Sequence, residues 1–551
     1  MLNPQLRQLP SPLSTKGFFD LRNKLVRTGF FFEKRGWLLF LLSALLVFFY
    51  IIIAWVARGD EQWWYIDFVN GANVYWGDDS HRYYLARSAW LNSDIYWFNF
   101  VLPLAIFLDA ILTTISSDSL FVARALKSLP LVASLFFLYF SCRNLGVKRS
   151  WSFLAVGLLA FTPIYVFVSL SFYGESWFVF FVSVTLLFLS QKKLFLAAVV
   201  IGLMPLVRIE SLDFVATFAI FTWLRKDFRA FLTVFAPGTV YFLLIVTAGP
   251  GVEVFLSWRF EMMKVYQGVG LWYGGEPVEI FDILFFPWLL LAVYGLFLKE
   301  ARPIWVISVG VALIILHVIL TLIFETGSLE PRFLVVAFPV MTIGFALALS
   351  RIEILLSNIK NATLAFSSVA IFFILYSNIY SIHVVKEIVT YFSENYAFPE
   401  SVREDPLNIE TYFRRADKEK VSGYREYANV AMEMIEKNPE ISTLVVSDPN
   451  VLYFLDPNRI QGKAVLVFAL FGWKTLSPVI QGDLTYGYFA QPPFSSYFHI
   501  DMPENGKELL LYLDSMGISG YPYHWEVKGN DIYLFSAHRV DDAKINQMPK
   551  K

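Results

Sequence analysis

Trp76-Gly77-Asp78-Asp79-Ser80-His81-Arg82-Tyr83-Tyr84-Leu85-Ala86-Arg87 is the most polar run in the first part of a chain that otherwise reads as apolar helices. It follows an apolar stretch, Trp37 to Ala57, and about 20 residues at 1.5 Å each are enough to cross ~30 Å of hydrocarbon. Two adjacent carboxylates, a histidine and two arginines therefore lie just outside the first span, beside the membrane. Alone, adjacent aspartates are a weak signal, because a solvated Asp-Asp turn or helix cap is common. Their weight depends on what shares their side of the bilayer.

Composition makes the membrane reading general. Of 551 residues, 56% are hydrophobic and 17% charged, with a mean hydropathy of +0.53. A soluble domain is about 45–50% apolar and about 25% charged. The 55 Phe and 16 Trp suit lipid-facing and interfacial positions. A net charge of −1 gives no case for a nucleic-acid partner. The one cysteine, Cys142, excludes an intramolecular disulfide and a Cys-based zinc cluster.

Residues 1–36 are polar and basic, with Arg7, Lys16, Arg22, Lys24, Arg27, Lys34 and Arg35 against Asp20 and Glu33. That flank puts the N-terminus in the cytoplasm, and the first span carries no small-residue cleavage site after it. The next apolar stretch, Phe98 to Ile115, is marginal in length and interrupted by Pro103 and Asp109. If it crossed, the basic run Arg143–Arg149 behind the following span, Leu120 to Cys142, would face outward, against the positive-inside rule. We therefore expect a helix lying on the outer surface at 98–115. Further spans are expected near 152–170, 175–190, 194–209, 211–224, 230–249, 282–298, 303–324, 333–350 and 363–383. The inner turns then carry Lys192 and Lys193; Arg225, Lys226 and Arg229; Lys299 and Arg302; Arg351 and Lys360. The expected fold is a mainly α polytopic membrane protein of about eleven transmembrane helices. It comprises a membrane domain, 37–391, with a first outer loop at 58–119. A small extracytoplasmic α/β domain follows at 392–551, where the sequence is richer in charge, Pro and Gly. In that domain strand-like runs fall at Ser442–Ser447, Ala464–Leu470 and Asp531–Ser536, and a helix-like one at Lys507–Met516. Ser447-Asp448-Pro449-Asn450 and Leu455-Asp456-Pro457-Asn458 read as turns.

On this topology the outer side collects acids, aromatics and arginines. Beside Asp78, Asp79, His81, Arg82, Tyr83 and Arg87 stand Tyr173-Gly174-Glu175-Ser176, Arg208-Ile209-Glu210-Ser211-Leu212-Asp213, Trp258-Arg259-Phe260-Glu261 and Glu330-Pro331-Arg332-Phe333. The Arg208–Asp213 group sits within an apolar stretch too short for two full helices and an exposed turn. Its charges must sink into the outer part of the bilayer, where each costs ~2.5–3.5 kcal/mol if central and unpaired. Either Arg208 pairs with Glu210 or Asp213 to hold two helices together, or the group walls a site entered from the outer leaflet. Sugar transfer from a lipid phosphate needs a carboxylate to take the acceptor's proton and cations to stabilise the departing phosphate. His81 is as well explained by a surface position, and His317 by the core of its span.

Taken in order and sidedness, Gly77-Asp78-Asp79-Ser80-His81-Arg82-Tyr83, the surface helix, Ala123-Arg124-Ala125-Leu126-Lys127-Ser128-Leu129, the Glu175 turn, Arg208-x-Glu210 and Glu330-Pro331-Arg332-Phe333 resemble the GT-C glycosyltransferases. The resemblance is to the type that includes dolichyl-phosphate-mannose:protein mannosyltransferases and the lipid A aminoarabinose transferase. It covers about residues 37–350. It implies inverting transfer from a polyprenyl- or dolichyl-phosphate sugar to an extracytoplasmic glycan, lipid or protein acceptor. It also implies Asp78 as base with Asp79 as alternate, Glu175 as second-loop acid, and Arg332 and Arg208, with Arg82 and His81, as phosphate-binding groups. Glu210, Asp213, Arg259, Glu330 and Tyr83 would line the acceptor side. Some members use a divalent metal, Mg or Mn, for which Asp79 and Glu175 would be the ligands here, yet no His/Asp cluster has ligand spacing. A transporter or lipid-linked sugar flippase is the alternative; it predicts midplane charges and matched halves, whereas here the polar groups gather on one side. The scarcity of cysteine and of credible glycosylation sequons favours a bacterial plasma membrane over an endoplasmic reticulum.

Overall fold

The helices around the polar run are short, and where they break decides where charge is found. The computed structural model describes residues 64–66, 69–70, 74–75, 78–91, 96, 102–116, 119–160, 162–256, 287–323, 335–356, 413–415, 443–446, 449–461, 464–467, 496–500, 523–527 and 530–536. It also describes helical positions at 425, 428–429, 431–433 and 435–436. All belong to one unit, Ile53–Lys551. The expected spans at 37–57 and 363–383 and the helix-like run Lys507–Met516 lie outside the described residues.

In chain order the strands β1 (Trp64–Ile66), β2 (Val69–Asn70) and β3 (Val74–Tyr75) precede α1 (Asp78–Ser88), α2 (Pro103–Ile115) and α3 (Leu120–Asn144). Next come α4 (Arg149–Ala160), α5 (Pro163–Leu170), α6 (Glu175–Ser190), α7 (Leu194–Leu203), α8 (Leu212–Leu224) and α9 (Phe228–Thr247). The last described helices are α10 (Pro287–Leu296), α11 (Trp305–Ile323) and α12 (Phe338–Leu356). Strands β4 (Phe413–Arg415), β5 (Thr443–Val446), β6 (Ala464–Val467), β7 (Ser496–Ile500), β8 (Tyr523–Val527) and β9 (Asn530–Ser536) follow.

Among the described residues, three helices are long and apolar enough to cross a membrane: Leu120–Asn144, Phe228–Thr247 and Val335–Leu355. At 25 residues, α3 reaches about 37 Å, beyond the ~30 Å hydrocarbon thickness. The 13 residues of α2 reach only about 20 Å, and α2 leaves Phe107 and Ile115 exposed while burying Asp109. The run 152–170, expected as one span, is two helices. Pro163 opens the second, and a residue before proline is steered out of the helical region. The apolar stretch 194–224 breaks as well. A 3-10 turn at Met204–Leu206 carries Pro205, Arg208 is extended, and a second 3-10 turn at Ile209–Ser211 leads into α8. Hydroxyls inside these helices bond their own backbone, as Ser134 does to the Pro130 carbonyl at 2.9 Å and Ser183 to the Val179 carbonyl at 2.9 Å. That satisfies them where water is absent.

Two basic turns close alike. Lys192 and Lys226 take positive φ, and Lys193 N–H donates to the Phe188 carbonyl and Asp227 N–H to that of Thr222, the Schellman pattern. The C-terminal strands form a mixed sheet ordered β6-β5-β7-β9-β8, with β5 parallel to both neighbours and the last pairs antiparallel. The Leu-Val-Val of β5 sits between two partners, as a near-continuous apolar run should. Strands β5 and β6 lie within runs expected from sequence, and β9 begins one residue before the third. Apart from that sheet, β4 pairs antiparallel with β1, Trp64 opposite Arg415.

Helices α10 and α12 touch at their backbones. A Cβ on Gly295 would stand 1.7 Å from the Gly344 carbonyl oxygen, and one on Gly344 would stand 2.3 Å from that of Ala292. Small residues permit this approach in a medium where packing drives association. Gly295→Ala must push the helices apart, at about 1–3 kcal/mol for overpacking. A lowered thermal unfolding midpoint in detergent is expected, and an unchanged one would contradict the contact.

Candidate functional site

The polar residues converge where α1, α3, the Ser171–Gly174 turn and the Arg208 break meet. Asp78 opens α1, where an acid suits the helix N-terminus; the side chains of Asp78 and His81 lie outside the described positions. Asp79, Tyr83 and Arg87 are spaced by four and share one stripe of α1. Asp79 is fully buried. Its Oδ1 accepts from the Phe172 N–H at 2.5 Å, and its Oδ2 from the Tyr453 hydroxyl at 2.5 Å and Arg124 Nη2 at 3.1 Å. Tyr83 packs against Phe172 with ring centroids 5.0 Å apart.

Arg82 stacks over Tyr173 at 5.3 Å, and both it and Arg208 flank Gly174. From the break, Arg208 donates Nε and Nη2 to the two oxygens of Glu210 at 3.1 and 2.6 Å, and Nη1 to Glu175 at the start of α6. Of the two pairings weighed from sequence, the bond is to Glu210, with Glu175 as a second partner. Asp213 stands instead in the first turn of α8. Burial works against a charged Glu210, yet the charge and hydrogen bonds of Arg208 hold its carboxyl below the usual carboxylate range. One guanidinium is thus shared by two carboxylates, with Arg82 as a second cation beside Gly174.

Beneath this lies a second buried pair. Lys127 of α3 bonds Asp109 of α2, which also accepts from Trp177 Nε1 at 2.7 Å. Burial pushes the Asp109 carboxyl up, opposed by Lys127. The Lys127 ammonium lies 5.0 Å from the Trp177 ring centroid and 5.8 Å from that of Phe172. The four carboxylates Asp79, Asp109, Glu175 and Glu210 are paired with Arg124, Lys127 and Arg208, and Arg82 stands nearby over Tyr173.

The structure brings Asp79, Arg82, Tyr83, Glu175, Arg208 and Glu210 together. Arg259, Glu330 and Arg332 lie outside the described residues. Asp109, Arg124, Lys127, Trp177 and Tyr453 join the site without having been singled out as site residues. The spacing of Arg124 and Lys127 by three within an apolar span was the available signal. No three His, Cys, Asp or Glu among the described residues group as metal ligands. A metal on Asp79 and Glu175 would have to displace Arg124 and Arg208, so these residues do not fit one.

The fold is shared with a solved membrane-protein structure. The particular likeness is to ArnT of Cupriavidus metallidurans bound to undecaprenyl phosphate, at a TM-score of 0.51 and 10% identity over 93% of this chain and 99% of that one. The apo form of the same protein gives 0.46 at 12% identity over 91% and 98%. The Archaeoglobus fulgidus oligosaccharyltransferase gives 0.43 at 14% over 90% and 74%. No protein-family model and no curated protein matches the sequence.

Breaking the Lys127–Asp109 pair strands a buried charge, at about 3–5 kcal/mol, whereas an apolar replacement of both is often neutral. Lys127→Met should therefore lower the unfolding midpoint sharply, and Lys127→Met with Asp109→Leu should recover most of the loss. The ion pair of Glu210 stabilises the fold above its unpaired value near pH 4.5. That contribution is lost as pH falls through the lower folded value, since a depressed carboxylate binds fewer protons than the unfolded one. The gap in unfolding midpoint between wild type and Glu210→Gln should accordingly shrink below pH 4.5, and a constant gap would speak against the pair.

Proposed function

We propose that this protein transfers a sugar from a polyprenyl-phosphate donor to a hydroxyl of an extracytoplasmic acceptor, with inversion at the anomeric carbon. The observation that carries the reading is the convergence of ion-paired acids and arginines around α1 and the Ser171–Gly174 turn, in a fold shared with an undecaprenyl-phosphate-bound transferase.

In this reading Asp78, the first residue of α1, removes the acceptor's hydroxyl proton as that oxygen attacks the anomeric carbon. The bond from that carbon to the phosphate oxygen breaks, and polyprenyl phosphate departs with the electron pair. Arg82 and Arg332 stabilise the phosphate charge as it develops, the kind of fixed electrostatic help that is usually the largest contribution. His81 flanks the same group. Arg208 serves chiefly to fix Glu175 and Glu210, which with Asp213, Arg259 and Glu330 form the acceptor side, whereas Tyr83, expected there from sequence, is buried against Phe172 and Tyr453. Asp79 is the anchor of the motif. The chain crosses a bacterial plasma membrane about eleven times, with a cytoplasmic N-terminus and an α/β domain, 392–551, outside. The bond from Tyr453 to Asp79 supports placing that domain on the side of the first loop.

The test uses the purified protein in lipid with labelled undecaprenyl-phosphate hexoses and pentoses and an envelope extract as acceptor. Transfer by wild type is expected, with Asp78→Asn reducing it by about a hundredfold or more while the unfolding midpoint holds. Undiminished transfer by Asp78→Asn would sink the assignment.

A further inference from the structure

The segment Pro449–Asp456, far along the chain from α1, is built against the stripe Asp79, Tyr83 and Arg87. The Tyr453 hydroxyl donates to Asp79 Oδ2 at 2.5 Å, its ring centroid lies 5.9 Å from that of Tyr83, and the Arg124 guanidinium stands 5.6 Å from the Tyr453 ring. Two residues on, the Leu455 carbonyl accepts from Arg87 Nη1 at 2.8 Å. Val451, Leu452 and Leu455 are buried, and Tyr453 is 8% exposed. The turn that ends the segment is locked, since Asn458 N–H donates to Asp456 Oδ1 at 2.9 Å. Side-chain and backbone bonds at both ends of one helical stripe fix the rotation of α1 about its axis as well as its position.

We propose that Tyr453 is a positioning residue for the transfer reaction, and that the C-terminal domain completes the site from outside the membrane. The inference rests on the function proposed above. Asp78 precedes Asp79 by one residue, so the bonds that hold the helix at Asp79, Tyr83 and Arg87 also fix the backbone that carries Asp78. The two aspartates then divide the work. Asp79, with both oxygens engaged in the interior, sets the geometry, and Asp78 meets the acceptor. Among the described residues, Tyr453 supplies the one bond to Asp79 that comes from beyond the helical bundle. Its loss should affect the alignment of Asp78 more than the capture of the donor, whose phosphate is assigned to other residues. Misplacement of a reacting group on the ångström scale costs about a hundredfold in rate.

Tyr453→Phe keeps the ring and its packing and removes only the donor. With the labelled donor on which wild type turns over, kcat should fall about tenfold to a hundredfold. Affinity for undecaprenyl phosphate, read by tryptophan fluorescence, should stay within twofold or so of wild type. A merely structural role would instead lower the unfolding midpoint and weaken binding and turnover together. Should Tyr453→Phe prove unstable, Arg87→Met loosens the same segment without touching Asp79, and the same fall in kcat at constant affinity is expected. Wild-type kcat in a stable Tyr453→Phe, or in Arg87→Met, overturns the proposal. If Asp78→Asn is inactive while Tyr453→Phe is fully active, the positioning role fails and the glycosyltransferase reading stands. Full activity of Asp78→Asn removes both.

Discussion

The buried carboxylate of Asp79 is the contact on which the described structure turns. It joins α1, the membrane helix α3 through Arg124, the turn between α5 and α6 through the Phe172 N–H, and the C-terminal segment through Tyr453. A charge removed from water is tolerated only when its lone pairs are taken up. Three donors from three separate parts of the chain meet that demand, so none of those parts can shift without exposing the charge. The polar site is therefore rigid for the same reason that it is costly.

A second constraint comes from the apolar surroundings. Backbone groups in hydrocarbon must be satisfied within the protein, so breaks in a membrane helix are confined to places lined by polar partners. The break around Pro205 and Arg208 obeys that rule. The helix stops at a proline, the chain becomes extended for one residue, and the guanidinium of that residue ties Glu210 to Glu175. The charges at the break neutralise one another across it, which holds the short helix and its neighbour together.

Much of this was legible in the chain itself. The shortness of the helix in the marginal stretch 98–115 and the pairing of Arg208 with Glu210 could be read from length and burial cost alone. The split of 152–170 at Pro163 was legible too, although length made a single helix the simpler reading. Other features were hidden for identifiable reasons. Lys127 and Asp109 are 18 positions apart, on separate helices, and nothing local marks them as partners. Tyr453 sits in Val-Leu-Tyr-Phe-Leu, which reads as ordinary core, because only the tertiary fold reveals what its hydroxyl meets. The Asp456-Pro457-Asn458 turn was recognisable as a turn but not as the end of a docking element.

The distance along the chain between Asp79 and Tyr453, 374 residues, bears on how the protein is made. At about 5–20 residues per second, the ribosome delivers the tyrosine roughly 20 to 75 s after the aspartate. During that interval Asp79 lacks its Tyr453 donor, and Arg87 lacks the Leu455 carbonyl. A chain cut short before residue 453 would embed its helices and still lack the last donor to that carboxylate. The bond thus ties an early helix of the described chain to a segment made long after it.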